Sequence, residues 1–207
     1  VPYISTAHMF YKPRLGRRLF PCWGKAVIAI SRTMEQGLFD IFGRKKLPPV
    51  TVVENGIDVG ELRDRVERTD RREVRKFYGC EEGQTVVLSL CWIVPVKGIH
   101  ILIDAFESAR RQVPGLRLLI AGTGDEQYLN QLKEQAFRLG LAEAVLFTGD
   151  IHEIEKPFKA ADIFVGPYLW PEAFGLSLLE AMAAGLPVIG SKSGGIAELL
   201  GNGRHGL

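Results

Sequence analysis

Two glutamates with seven residues between them, Glu172 and Glu180, are the side chains of this 207-residue chain whose types and spacing most suggest chemistry. They lie in the stretch Pro171 to Val188, PEAFGLSLLEAMAAGLPV, which reads as a turn, a short helix and the start of a strand. Gly175 opens the helix, Leu176 to Ala184 form it, and Gly185 followed by Pro187 stops it. Helical side chains lean toward the N-terminus, so Glu180, a little over one turn in, directs its carboxylate back toward the turn that holds Glu172. The free backbone N–H groups around Phe174, Gly175 and Leu176 bring the positive end of the helix dipole to the same mouth. Amide donors beside two carboxylates suit a ligand that is anionic at one end and rich in hydroxyls at the other, as a sugar nucleotide is. Taken singly, either glutamate could equally be a residue that only complements the dipole of a first helical turn.

Such a site needs a sheet whose strand ends deliver these loops. Thr85 to Ile93 is a near-continuous apolar strand, followed by Val94-Pro95-Val96-Lys97-Gly98 and a helix with Ile99, Leu102, Ile103, Phe106 and Val113 at helical spacing. Leu116 to Ala121 leads to Gly122-Thr123-Gly124 and a helix from Asp125 to Leu139. Ala144 to Thr148 precedes Gly149-Asp150-Ile151 and a short helix ending near Ala161. Asp162 to Pro167 enters the Glu172 stretch, and Pro187 to Ser191 leaves it. Strands alternating with helices predict an α/β fold, a parallel Rossmann-like sheet covered on both faces, with ligands at the carboxyl ends of its strands. Lys97, Gly122, Gly149 and Glu172 all fall there.

Earlier in the chain, Pro2 to Thr6, Lys25 to Ser31 and Val50 to Glu54 read as strands, with a helix from Arg32 to Phe42 and a tight turn at Asn55-Gly56. The sign-alternating segment Asp58 to Gly83 reads as a solvated connector with one helix. The organisation expected is the last part of one α/β domain over 1–60, a charged connector over 61–84 and a second domain over 85–207.

Charge is uneven. Residues 1–53 hold nine Lys/Arg against two Asp/Glu, and residues 54–207 hold 17 against 22, so two modules with different partners are implied. Acids interleaved with the arginines of the connector cancel its field, which argues against a nucleic-acid partner. The basic stretch Lys12 to Arg18 is either a solvated face or a surface for peripheral contact with an anionic bilayer. The longest apolar run, Thr85 to Val96, is shorter than the roughly 20 residues that cross a bilayer. Cys22, Cys80 and Cys91 show no metal-ligand spacing and suggest a reducing, cytoplasmic setting, with Cys91 a buried thiol. Lys97 stands where an ammonium could neutralise a diphosphate, whose charge grows as it leaves in a group transfer. Gly122-Thr123-Gly124 is not the dinucleotide fingerprint, because Gln127 stands where a third small residue is wanted. His8 is either an exposed loop histidine or a donor to a sugar hydroxyl.

The Glu-x7-Glu pair enclosing FGLSLLEAM, followed by AGLPVI and SGGIAEL, resembles the donor-site signature of the retaining GT-B glycosyltransferases, a family that includes glycogen synthase and sucrose synthase. The resemblance is strong over 85–205 and weaker over 1–60. It implies two Rossmann-like domains facing across a cleft, the acceptor side represented by 1–60 and the donor side by 85–207. It further implies transfer of a hexose, with retention, from a nucleotide diphosphate sugar to a hydroxyl of a carbohydrate, lipid or small-molecule acceptor. Glu172 and the amides of Phe174, Gly175 and Leu176 would hold the sugar, Glu180 the ribose hydroxyls, and Lys97 the diphosphate. Gly122 would lie near the nucleotide, the backbone of Gly149 and Ile151 would line the base, and His8 would match the family's donor-sugar histidine. Neither a cofactor nor a metal is implied. The chain departs from the family at Cys91-Trp92, where Gly-Arg is usual five residues before Lys97. An indole lacks a guanidinium's bidentate grip on phosphate, and Lys156 is another cation that could supply the charge. A nucleotide-sugar-binding module without transferase activity, and a same-fold phosphorylase or epimerase, are the alternatives.

Overall fold

Three short parallel strands begin the chain: β1 (Ile4–Ala7) pairs with β2 (Ala26–Ala29), and β2 with β3 (Val50–Val52). They belong to a computed structural model that describes residues 2–10, 22–201 and 203–207. The basic stretch Lys12 to Arg18 lies outside the described residues. The chain divides into two compact units. The first comprises Val1–Gly56, Trp170–Leu176 and Lys192–His205, and the second Ile57–Leu169, Ser177–Ser191 and Gly206–Leu207.

In the first unit, helix α1 (Arg32–Phe42) has the ends its sequence predicts. Ser31 caps it by accepting from the Met34 N–H, and Gly43 stops it at φ 78°, a left-handed value that glycine takes without strain. Met34, Leu38 and Phe42, one face at i, i+4 and i+8, pack with Val27, Ala29 and Trp23 into a buried cluster. Trp23 meets Phe42 edge-on, with ring centroids 5.2 Å apart. Asn55-Gly56 forms no tight turn: residues 53–58 run on as coil and Gly56 is not at positive φ. The chain is leaving one sheet for another there, not reversing, so no hairpin geometry is called for.

The second unit is built on five parallel strands in the order β6-β5-β4-β7-β8. They are β4 (Thr85–Leu90), β5 (Leu116–Ala121), β6 (Val145–Gly149), β7 (Ile163–Gly166) and β8 (Val188–Gly190). The order turns at β4: the chain runs outward to β5 and β6, then returns to β4's other side for β7 and β8. A switch point therefore lies between the carboxyl ends of β4 and β7. Ile99, Ile103 and Phe106 of α4 (Ile99–Gln112), with Leu132 and Ala136 of α5 (Glu126–Arg138), bury Leu118 and Ile120 of β5. Each such large apolar side chain contributes about 1.5–3 kcal/mol on burial.

The charged segment before β4 is not a connector with one helix. It forms two, α2 (Val59–Arg68) and α3 (Arg71–Phe77), capped by Asp58 and Asp70. The Asp70 carboxyl is held below its ordinary range by the backbone N–H groups of Glu73 and Arg72. Three of the segment's arginines are fastened rather than solvated. Arg65 reaches Glu155 of α6 (Glu155–Ala160) at 2.5 Å, and Arg71 and Arg75 both reach Asp162 at 2.5 Å. Asp162 also accepts from the Val86 N–H at 2.8 Å, which ties α3 to the start of β4. Cys91, expected to be a buried strand thiol, lies just past β4 and is half-buried. Cys80 is the buried one, and burial pushes its thiol pKa up. Among the described residues no helix is long and apolar enough to cross a membrane.

Candidate functional site

Five of the predicted residues follow strands of the second unit's sheet. Lys97 ends a short 3-10 turn, Pro95–Lys97, directly after β4, and Gly98 follows in the left-handed region at φ 72°. A Cβ on Gly98 would overlap the Pro167 carbonyl oxygen, so only glycine lets this turn approach the end of β7. Gly122, at φ 121°, follows β5; its N–H donates to the Gly149 carbonyl at 3.0 Å, and a Cβ there would overlap the Cys91 carbonyl. The ends of β4, β5 and β6 are thus drawn together through backbone atoms. Ile151 follows β6, its N–H donating to the Asp150 carboxylate at 3.1 Å. Glu180 lies on α7 (Leu176–Ala183), the helix after β7.

Burial raises the Glu180 carboxyl pKa above the ordinary carboxylate value, and no cation among the described residues offsets it. A raised folded-state pKa means that the folded protein binds the proton more tightly than the unfolded chain. The favourable contribution is complete below the ordinary value of 4.5 and is lost as pH rises through the raised one. At neutral pH the half-buried carboxylate is therefore a cost to the ligand-free fold. Glu180→Gln is expected to raise the ligand-free thermal midpoint at pH 7.5, with the gain disappearing near pH 4; equal midpoints at both pH values would contradict it.

The first unit holds the other predicted residues. His8 is exposed at the carboxyl end of β1. Glu172 is half-buried in the turn before α7, Ala173 is buried, and Phe174 packs against the Trp23–Met34 cluster. Gly175 takes φ 99° and Leu176 is exposed. What fixes this turn is a set of residues whose roles the sequence does not disclose. The Ser31 hydroxyl donates to the Ala173 carbonyl at 2.7 Å, and the Gly195 N–H donates to the Glu172 carbonyl at 2.7 Å. Gly194 and Gly195 begin α8 (Gly194–Leu199), and a Cβ on either would press into the 172–174 backbone. Glu198, on the same helix, accepts from the Arg32 N–H at 3.1 Å, the Thr33 N–H at 3.0 Å and the Thr33 hydroxyl at 3.0 Å. A carboxylate thus sits on the positive end of α1 and holds α8 in place. The two glycines before a helix were the one available signal, and the motif that contains them was legible only as part of a resemblance.

Trp92 is 61% exposed just past β4, where a guanidinium was expected, and the Lys156 ammonium is taken up by Glu153 at 2.5 Å. Among the described residues no group of three or more His, Cys, Asp or Glu side chains is placed to hold a metal ion.

A sequence profile described as glycosyl transferases group 1 matches residues 70–207. The chain belongs to this family. A GDP-mannose-dependent alpha-(1-6)-phosphatidylinositol monomannoside mannosyltransferase of Mycobacterium tuberculosis is 38% identical over 169 residues, covering 78% of this chain and 41% of the relative. The alpha-monoglucosyldiacylglycerol synthase of Streptococcus pneumoniae is 36% identical over 141 residues, covering 67% of this chain and 31% of the relative. Among solved structures, Anabaena HepE in complex with UDP and glucose matches with a TM-score of 0.82 at 28% identity, over 96% of this chain and 55% of that one. The fold is that of the GT-B glycosyltransferases, as the resemblance implied. The chain spans less than half the length of these curated relatives.

Proposed function

We propose that the protein transfers a hexose from a nucleotide diphosphate sugar to an acceptor hydroxyl, retaining the anomeric configuration. The supporting observation is the carboxyl edge of the five-stranded sheet. An ammonium (Lys97), the glycine backbone of Gly122 and Gly149 and a half-buried carboxylate (Glu180) all follow strand ends there. In this reading Lys97 neutralises the departing diphosphate and Glu180 accepts from ribose hydroxyls. Gly122 approaches the nucleotide, and the Gly149 and Ile151 backbone lines the base. Glu172, the amides of Phe174, Gly175 and Leu176, and His8 serve the sugar. HepE's complex with UDP and glucose supports a nucleotide-sugar donor. The relatives named for phosphatidylinositol monomannoside and monoglucosyldiacylglycerol support a lipid acceptor, with a carbohydrate or small molecule the other classes proposed. Lys12 to Arg18 would then make peripheral contact with the bilayer from the cytoplasmic side, and nucleic acid has no part. The reading needs no metal, since Lys97 and backbone amides supply the positive charge.

The test offers UDP-, GDP- and ADP-linked hexoses to the full-length protein, with and without EDTA, and reads the product's anomeric coupling by NMR. Transfer with retained configuration that persists in EDTA is expected, and an inverted product overturns the retaining mechanism. The exposed indole of Trp92 favours one second reading, a binding module without transferase activity. Tight nucleotide-sugar binding with neither hydrolysis nor transfer would select it.

A further inference from the structure

Directly beyond β7 the chain places Tyr168, a residue that no part of the donor-site reading uses. Its side chain is buried, with 5% of the residue exposed. The ring folds back over the end of its own strand, since a Cβ on Gly166 would lie 2.5 Å from it. The Lys97 ammonium stands 5.1 Å from the ring centroid, within the roughly 6 Å at which an aromatic face attracts a cation. The Tyr168 hydroxyl shares a hydrogen bond of 3.1 Å with the hydroxyl of Ser177. Ser177 is on α7, three residues before Glu180 and so on the same helix face. The backbone repeats the connection: the Leu169 N–H donates to the Val96 carbonyl at 2.9 Å, and Gly98 closes on Pro167.

We propose that Tyr168 is a positioning residue for the donor diphosphate, its ring seating the Lys97 ammonium at the β4–β7 switch point while its hydroxyl ties that seat to the helix bearing Glu180. A lysine has four freely rotating side-chain bonds and loses that freedom when it binds a phosphate. An ammonium already resting on a ring face loses less of that freedom on binding. Tyr168 therefore acts through Lys97 and touches no reacting atom. The proposal rests on the donor-site reading above, specifically on Lys97 as the diphosphate ligand.

The test measures UDP, GDP and ADP binding to the full-length protein by calorimetry in a double-mutant cycle. Lys97→Ala should weaken binding of the preferred nucleotide, and Tyr168→Met should weaken it about five- to tenfold. In the Lys97→Ala background Tyr168→Met should have no further effect, a coupling that a merely structural role would not produce. Tyr168→Phe keeps the ring over Lys97 but loses the bond to Ser177, so its affinity should fall between those of the parent and Tyr168→Met. Should Tyr168→Met fail to fold, 4-fluoro- and difluorophenylalanine at the same position decide the matter. They keep the shape while draining charge from the ring face, so affinity should fall in steps. Unchanged affinity in Tyr168→Met or along the fluorinated series, or equal losses with and without Lys97, overturns the proposal but leaves the donor site intact if Lys97→Ala alone weakens binding. A Lys97→Ala protein that binds as the parent does removes both.

Discussion

Glu172→Ala is expected to lower turnover by about 10³-fold, the scale seen when a group stabilising charge or hydroxyls in a transition state is removed. The turn should keep its position, because it is fastened through its backbone. The Glu172 carbonyl accepts from the Gly195 N–H, and the neighbouring Ala173 carbonyl from the Ser31 hydroxyl, each at 2.7 Å. Neither bond uses the Glu172 carboxylate, so both survive the substitution. The measurement pairs single-turnover kinetics at saturating donor with urea unfolding. Glu172→Gln, which keeps hydrogen bonding but loses charge, should recover part of the rate. A folded Glu172→Ala protein with unchanged turnover would remove this residue from the mechanism.

Local signals in the sequence were reliable where one residue type settles a backbone conformation. Gly43 stops α1 at the expected end, and α5 starts beside Asp125, where a helix was expected to begin. The five parallel strands were visible as apolar runs because a sheet covered on both faces leaves few polar positions in its strands. The charged segment misled for a long-range reason. Asp58 and Asp70 are ordinary cap residues, but α2 and α3 are docked by burial of Leu62, Val66 and Val74 and by pairing of Arg65, Arg71 and Arg75 with Glu155 and Asp162, some 90 residues away in Arg65–Glu155. Nothing local distinguishes an arginine that will find such a partner from one that stays in water. The same holds at the candidate site. Glu172 and Glu180 were identifiable from spacing and resemblance, whereas Ser31 and Glu198 gain their roles from partners 142 and 166 residues distant. Tyr168 was equally opaque, since an aromatic residue after a strand is usually just core.

Gly195→Ala supplies a test of that long-range fastening with an effect opposite in sign to intrinsic propensity. Gly195 lies in α8, and alanine there would ordinarily favour a helix by about 1 kcal/mol. Its Cβ, however, would stand 2.6 Å from the Ala173 carbonyl oxygen and 2.8 Å from the Phe174 Cα, both backbone atoms that cannot swing away. Retreat of α8 is opposed by Glu198, whose carboxylate is held by the Arg32 and Thr33 N–H groups. The strain therefore falls on the Glu172 turn. Overpacking of this kind costs about 1–3 kcal/mol, and displacing by about 1 Å a carboxylate that holds the sugar, as proposed for Glu172, costs on the order of 10²-fold in turnover. Gly115→Ala is the control, since a Cβ there meets nothing within 4 Å. The expected result is a lower urea midpoint together with lost turnover for Gly195→Ala, and neither for Gly115→Ala. If Gly195→Ala were instead as stable and as active as the parent, the close approach of α8 would not be what sets the position of Glu172.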